Sequence, residues 1–364
     1  MPIRSISLLN VRSHELSSYE FADTITLILG PNGTGKTTII EALYLLLRGT
    51  SFRGRDRDVI AHTQQRSVIK LAHDDTERRG ELRINDGKIA KEFLIEDKKV
   101  ARLPVEARWP IVLFEPDELR LLTSSPQRRR DFIDGIIARL SPTYSTVLHR
   151  YQRTLLQRNE LLKQLEDLGM ANWQAHLFAW DVKLSELGAT IIKARLNFLK
   201  HSNEHLSRLY SSMADSEHSV IASYVGPFTV NNDNLQQLLL DKLEANRKQD
   251  AIRGFTSAGP HRDDIALYLD GHAATESASR GELRTIMLAF KLLEVELQAH
   301  HSGKKPLILL DDVFSELDIT REQHLMKSLE GYQTIITATD LRDELKVNAK
   351  IIMLGELDAA PESL

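Results

Sequence analysis

The sequence predicts an α/β fold: a sheet of buried strands with a compact helical lobe inserted into it. Three observations carry this. Short apolar runs, Thr24–Leu29 and Ile111–Phe114 in the first part of the chain and Leu307–Leu310, Thr334–Ile336 and Ile351–Leu354 in the last, have the length of buried strands. An apolar stretch of helical length, Thr37–Leu47, follows the first run across a glycine-rich break. Between Ser125 and about Tyr210 the apolar spacing changes to the helical period. A chain of 364 residues, 27% charged and 42% hydrophobic, has room for one large or two ordinary soluble domains.

Taken in order, Ile3–Val11 reads as a strand before Thr24–Leu29. Val68–Leu71 and Glu81–Ile84 read as strands, and Asn85-Asp86-Gly87 is a hairpin turn leading into Lys88–Leu94. Ser125-Pro126 is a helix N-cap followed by a first-turn proline. Tyr151, Leu155, Leu162, Leu165 and Leu168 then keep a helical stripe, Gly169 ends that arm, and Trp173–Leu209 returns as a second helix. Arms of about 25–30 residues reach roughly 40 Å, so the lobe is compact, with no long coiled coil. Strand character comes back at Ser219–Val225 and Ile265–Leu269, and the acidic tail Glu356–Leu364 is expected to fray.

Several function classes are disfavoured by composition. With no cysteine there is neither a disulfide nor a thiolate metal site, in keeping with a reducing cytosol. The N-terminus lacks the apolar core of a signal peptide, and no run approaches the roughly 18 apolar residues of a membrane helix. The net charge of −4 confines any nucleic-acid site to a local patch. The histidines show no metal-ligand spacing, and no Ser/His/Asp constellation is visible.

GPNGTGKT, residues 30–37, matches G-x-x-x-x-G-K-[ST] between a strand and a helix. In such a loop Gly30, Pro31, Asn32, Gly33, Thr34 and Gly35 wrap so that backbone N–H groups face phosphate oxygens, with Thr38 continuing into the helix. Lys36 would reach the β- and γ-phosphates of ATP and Thr37 would bind Mg²⁺. LILLDDVFSELD, residues 307–318, supplies the carboxylates such a loop needs: Asp311 to hold Mg²⁺ through water, Asp312 to polarise the attacking water. SASRGELR, residues 277–284, opens a long amphipathic helix with the capping box Ser279/Glu282. Ordinary P-loop proteins need no such second helix start, but ABC-type ATPases do. There the helix N-terminus of one subunit meets the γ-phosphate held by the other. Ser279 would contribute its hydroxyl, and Gly281 would let the backbone approach. The fold class is therefore an ABC-type ATPase head, divided as 1–115 with the P-loop, 116–254 the helical lobe, and 255–364 with the signature helix and Walker B strand.

The layout, P-loop near the N-terminus and the other two motifs close together near the C-terminus, resembles the SMC-like ABC ATPases. Further stretches resemble the RecF family: LLNVRSHE (8–15), SFRGRDRDVI (51–60), VLFEPDELRLLTSSPQRRRDFID (112–134), YQRTLLQRNELLK (151–163), AGPHRDDI (258–265) and SRGELR (279–284), followed by LLDDVFSELD (309–318). The resemblance spans nearly the whole chain. It implies a cytoplasmic, nucleoid-associated clamp that dimerises on two ATP around single- and double-stranded DNA, above all gapped junctions. Such a clamp works with RecR and RecO to help load RecA in repair, recombination, replication and the SOS response. It also implies a weak, DNA-stimulated ATPase whose turnover resets the clamp, and it places Arg12 near the nucleotide phosphates. Departures are Glu282, where the family usually has Gln; Asp312, where most ABC ATPases have Glu; and the lack of a switch histidine after Thr334–Ile336. The last two imply slow hydrolysis, and Glu115–Asp117 is a positional candidate for the Q-loop. Another ABC-type ATPase, a transporter subunit or a nuclease-associated head, is the alternative.

Two arginine clusters, Arg53/Arg55/Arg57 and Arg128/Arg129/Arg130, are either solvated faces or phosphate contacts to DNA. The second sits at a helix start, where it opposes the macrodipole unless an anion or acid compensates. His261 and Arg262 either line the DNA side of the head or fix a loop.

Overall fold

The computed structural model describes residues 2–73, 76–119, 121–164, 170–214, 216–227, 234–340 and 349–355. Leu165, Leu168, Gly169 and the tail Glu356–Leu364 lie outside them. The strands are β1 (Ile3–Val11), β2 (His14–Glu20), β3 (Ile25–Leu29), β4 (Arg66–His73), β5 (Thr76–Asn85), β6 (Lys88–Ile95), β7 (Lys98–Val100), β8 (Ile111–Phe114), β9 (Val220–Val225), β10 (Asp264–Leu269), β11 (His272–Ala273), β12 (Leu307–Asp311), β13 (Thr334–Ala338) and β14 (Lys350–Met353). Among the described residues the helices of eight residues or more are α1 (Lys36–Arg48), α2 (Pro126–Leu140), α3 (Pro142–Leu162), α4 (Met170–Asn203), α5 (Leu206–Ala214), α6 (Leu235–Arg253), α7 (Arg280–Ser302) and α8 (Ile319–Ser328).

Two compact units divide the chain, 1–117 with 295–364 and 118–294. The sequence suggested changes at 115 and 254. The stretch after 254 belongs with the helical unit because β10 pairs antiparallel with β9 from Asp264↔Val225 to Leu269↔Val220.

In the first unit a five-stranded parallel sheet runs β14-β3-β13-β12-β8. Its central strands are apolar on both faces, as parallel strands covered on both sides must be. Leu307–Leu310 are at most 4% exposed. A six-stranded antiparallel sheet runs β2-β1-β4-β5-β6-β7. Helix α1 is apolar almost all round, the mark of a buried helix, and its Ile39, Ile40, Leu43 and Leu46 join one core with residues of both sheets. The β5–β6 hairpin turns through Asp86 (φ 48°) and Gly87 (φ 74°), the left-handed pair that the Asp-Gly dipeptide accommodates. Strand β2 has no counterpart among the predicted strands: HELSSYE is a polar edge with little alternation.

In the second unit α3, α4 and α6 pack together and β9-β10-β11 form a small antiparallel sheet. The predicted return helix is interrupted at Glu204-His205. Asn203 there turns its amide onto β9, donating to Ala222 O (3.0 Å) and accepting from Ala222 N (2.8 Å). Helix α6, with Leu235, Leu239 and Leu243 buried at i, i+4 spacing, has no counterpart among the predicted helices. Among the described residues no helix is long and apolar enough to cross a membrane.

Candidate nucleotide site

The P-loop leaves β3 and enters α1 at Lys36, with Gly33 (φ 87°) and Gly35 (φ 91°) in the left-handed region. Both need glycine for that reason. At Gly35 a Cβ would also stand 2.3 Å from His14 Nε2, and at Gly30 one would stand 2.4 Å from Leu354 O. The loop is braced internally. Thr34 donates to Pro31 O (3.0 Å), and Thr38 N to Gly35 O (3.0 Å). Lys36, 7% exposed, donates from Nζ to Gly30 O (2.6 Å) and Pro31 O (2.8 Å), so its charge is held over the loop.

Thr37 donates to Asp311 Oδ1 at 2.8 Å, joining residues 274 apart in sequence. Asp311 Oδ1 also accepts from Thr337 Oγ1 at 2.7 Å. Burial pushes the Asp311 carboxyl up from the usual carboxylate range, against the two hydroxyls and the positive charge of Arg53. Asp312 follows at φ 53°, a left-handed conformation costing a non-glycine residue about 1 kcal/mol or more. Its N–H is held by the carbonyl and hydroxyl of Thr337, both at 3.1 Å.

A cavity of about 270 Å³ opens on this loop, lined among others by Arg12, Asn32, Lys36, Thr37, Arg53 and Asp312. Arg12 sits at the tip of the β1–β2 turn, between paired Val11 and His14, at φ 48°. Its guanidinium grips Glu41 of α1 through Nε and through Nη2 (2.7 Å), and that pairing raises its pKa further. Glu41 also takes the Ser51 hydroxyl. His14 lies with Nε2 3.2 Å from Gly35 O and Nδ1 near the hydroxyls of Ser17 and Tyr19. Burial lowers its pKa, so a neutral imidazole donates through Nε2 to the loop carbonyl. His14, Glu41 and Thr337 were not singled out from the sequence. They act through contacts 21, 29 and 26 residues away, which no local motif spells out.

These residues fit a nucleotide with a divalent cation. Left-handed glycines free the loop's N–H groups for phosphate oxygens. A hydroxyl and a carboxylate 2.8 Å apart form the hard oxygen pair Mg²⁺ takes.

In the second unit the capping box is formed: Ser279 N donates to Glu282 Oε2 (2.7 Å) and Glu282 N to Ser279 Oγ (3.3 Å). Gly281 follows in the first turn of α7, its carbonyl accepting from Thr285 (2.9 Å).

The arginine clusters separate. Arg53 lines the nucleotide cavity, while Arg55, Arg57 and Arg128 are exposed. Arg129 and Arg130 are instead engaged within the chain. Arg129 forms a bidentate pair with Asp264 (2.9 and 2.6 Å) and also donates to Ser124 O. Arg130, 6% exposed, donates to Asp263 O and Gln127 Oε1 (2.7 Å). Internal acids and carbonyls therefore meet the charge that a helix start disfavours. The same two stretches interlock further: Asp134 takes a bidentate bond from Arg195 (2.8 and 2.8 Å), which also donates to Pro260 O (2.7 Å). His261 accepts at Nδ1 from Tyr151 OH (2.7 Å) and donates at Nε2 to Thr256 O (3.1 Å). It fixes the loop.

Fold and site together define a P-loop ATPase head of the ABC type. The chain belongs to the RecF/RecN/SMC N-terminal domain family, whose model matches residues 2–353. It is 33% identical to the DNA replication and repair protein RecF of Enterococcus faecalis, over 98% of each chain. Two solved structures of the recombination mediator protein RecF in the RecFOR pathway, one with ATPrS and one with ATP, are each 29% identical to it. They have TM-scores of 0.84 and 0.81 and cover 98% and 94% of this chain and 98% and 93% of theirs.

Proposed function

We propose that this chain is an ATP-gated DNA clamp of recombinational repair and replication restart. It would close as a homodimer on two ATP at gapped DNA and, with RecR and RecO, help load RecA onto single strands in the cytoplasm at the nucleoid. The observation that carries the reading is the Thr37–Asp311 hydroxyl–carboxylate pair beneath a P-loop whose Lys36 is braced on the loop's own carbonyls. Mg²⁺ bound there would offset charge on the β- and γ-phosphates. Thr37 and Asp311 would hold it, directly and through water, with Thr337 orienting the carboxylate. The loop N–H groups and Lys36 would bind the phosphates, and Arg12, aimed by Glu41, would face them from the hairpin tip.

Asp312 would polarise the attacking water. Its side chain is one methylene shorter than the usual Glu and no histidine follows β13, features that suit slow turnover. Ser279 and Gly281 would complete the site of the partner subunit, and Glu282 would add negative charge there, making dimerisation weaker than with Gln. DNA phosphates would meet Arg55, Arg57 and Arg128. ATP turnover with and without gapped DNA tests the reading. Stimulation by DNA is expected, lost in Asp312→Asn, and with nucleotide binding also lost in Lys36→Ala. An ATP-binding chain with no affinity for DNA would refute the clamp.

A further inference from the structure

At the α4–α5 junction stand His201, Glu204 and His205, each offering a ligand atom within 4.8 Å of the other two. His201 Nδ1 is 3.4 Å from Glu204 Oε2, and the two imidazole rings meet edge-on with centroids 4.9 Å apart. Against the sequence expectation that the histidines show no metal-ligand spacing, we propose that these three side chains, at i, i+3, i+4 along the chain, form a Zn²⁺ site.

The backbone beneath them explains how they converge. Glu204 N donates to His201 O (3.1 Å) and His205 N to Ser202 O (3.0 Å). Those tightened turns bring residues 201, 204 and 205 round to one side as α4 ends. Leu209 N then donates to His205 O (3.0 Å), so His205 starts α5. The two residues between the ligands point the other way and are anchored: Ser202 is fully buried and Asn203 forks onto Ala222. Two residues past the last ligand, Ser207 Oγ accepts from Val220 N at 2.9 Å. An arriving ion orders three side chains and no backbone, which keeps the entropic cost small. His201 and Glu204 are exposed and His205 is half-buried, so water carries the ion to its ligands.

The donor set selects the metal. Two imidazoles and one carboxylate suit borderline Zn²⁺, with water in the fourth position of the tetrahedron. Mg²⁺ prefers oxygen ligands in octahedral geometry, so this site and the Thr37–Asp311 pair sort different ions. A histidine in the last helical turn is already favourable to the macrodipole. That accounts for His201 alone, not for a second imidazole and a carboxylate brought against it.

Full-length protein competing with a chromophoric chelator for Zn²⁺, in excess Mg²⁺, tests the site. Wild type should take up one more Zn²⁺ per chain than His201→Ala/His205→Ala. Glu204→Gln should weaken uptake by at least the roughly tenfold that even an outer-shell partner commands. Melting curves without zinc establish that the variants fold. Should the double variant fail to fold, X-ray absorption at the zinc edge of wild type decides, with two imidazoles and a carboxylate as the expected shell. Wild type that binds no zinc, a different ligand shell, or a folded double variant with unchanged stoichiometry and affinity would overturn the proposal.

Discussion

Replacing Thr337 by valine keeps the shape of the side chain and removes one hydroxyl from beneath the nucleotide site. That hydroxyl donates to Asp311 Oδ1 at 2.7 Å, and the residue is fully buried. Asp312 N–H loses one acceptor but keeps the Thr337 carbonyl at 3.1 Å. The loss therefore falls on Asp311. A hydrogen bond to a charged group contributes about 1.5–3 kcal/mol, and loss of an outer-shell partner typically weakens metal binding about 10–100-fold. A Mg²⁺ titration of fluorescent-ATP binding should thus shift by one to two decades in Thr337→Val, with Thr337→Ser restoring most of the affinity. If Thr337→Val stays within about twofold of wild type while Thr37→Val loses Mg²⁺ dependence, the Thr337–Asp311 bond has no part in holding the metal, and the account of this carboxylate fails.

Other consequences follow from the second unit. Asp134→Asn leaves the Arg195 guanidinium, 3% exposed, without its counter-charge; a broken buried pair costs about 3–5 kcal/mol. The urea midpoint should fall by about 1–2.5 M, for a slope of about 2–3 kcal/mol per M; an unchanged midpoint would refute this locking of Arg195. Burial holds His261 at a pKa of about 4, below its unfolded value of about 6.5. Its contribution, up to about 3 kcal/mol, is present above pH 6.5 and lost as pH falls from about 6.5 to about 4. Chemical denaturation across that range should show the slope in wild type and a flatter one in His261→Gln. Arg128→Glu should lower DNA affinity and reduce its salt slope by about one. Arg129→Ala should lower folding stability by breaking the Asp264 pair, with the salt slope unchanged.

What was legible in the sequence divides by the range of the interactions concerned. Ile111–Phe114 lies where it was read because four consecutive apolar residues are all buried. The P-loop, the Walker B strand and the Ser279/Glu282 box are local patterns whose geometry follows from a few neighbouring residues. Strand β2 was not legible, since an edge strand built of His, Glu, Ser and Tyr shows little alternation. Nor was the left-handed backbone at Arg12 and Asp312, which the surrounding fold imposes on ordinary side chains. The run Arg128–Arg130 resembles an anion site because its partners, the Asp264 carboxylate and the Asp263 backbone carbonyl, stand more than 130 residues further on. Local charge shows that compensation is needed; only the tertiary fold shows whether it comes from within the chain or from a ligand.

Molecular mass by light scattering without nucleotide, with ADP and with ATP plus Mg²⁺, for wild type and Ser279→Arg, tests the clamp most directly. The account predicts a dimer with ATP alone, absent in Ser279→Arg although that variant still binds ATP as a monomer. A wild type that stays monomeric with ATP, with and without gapped DNA, would contradict it and leave Ser279 as the cap of α7.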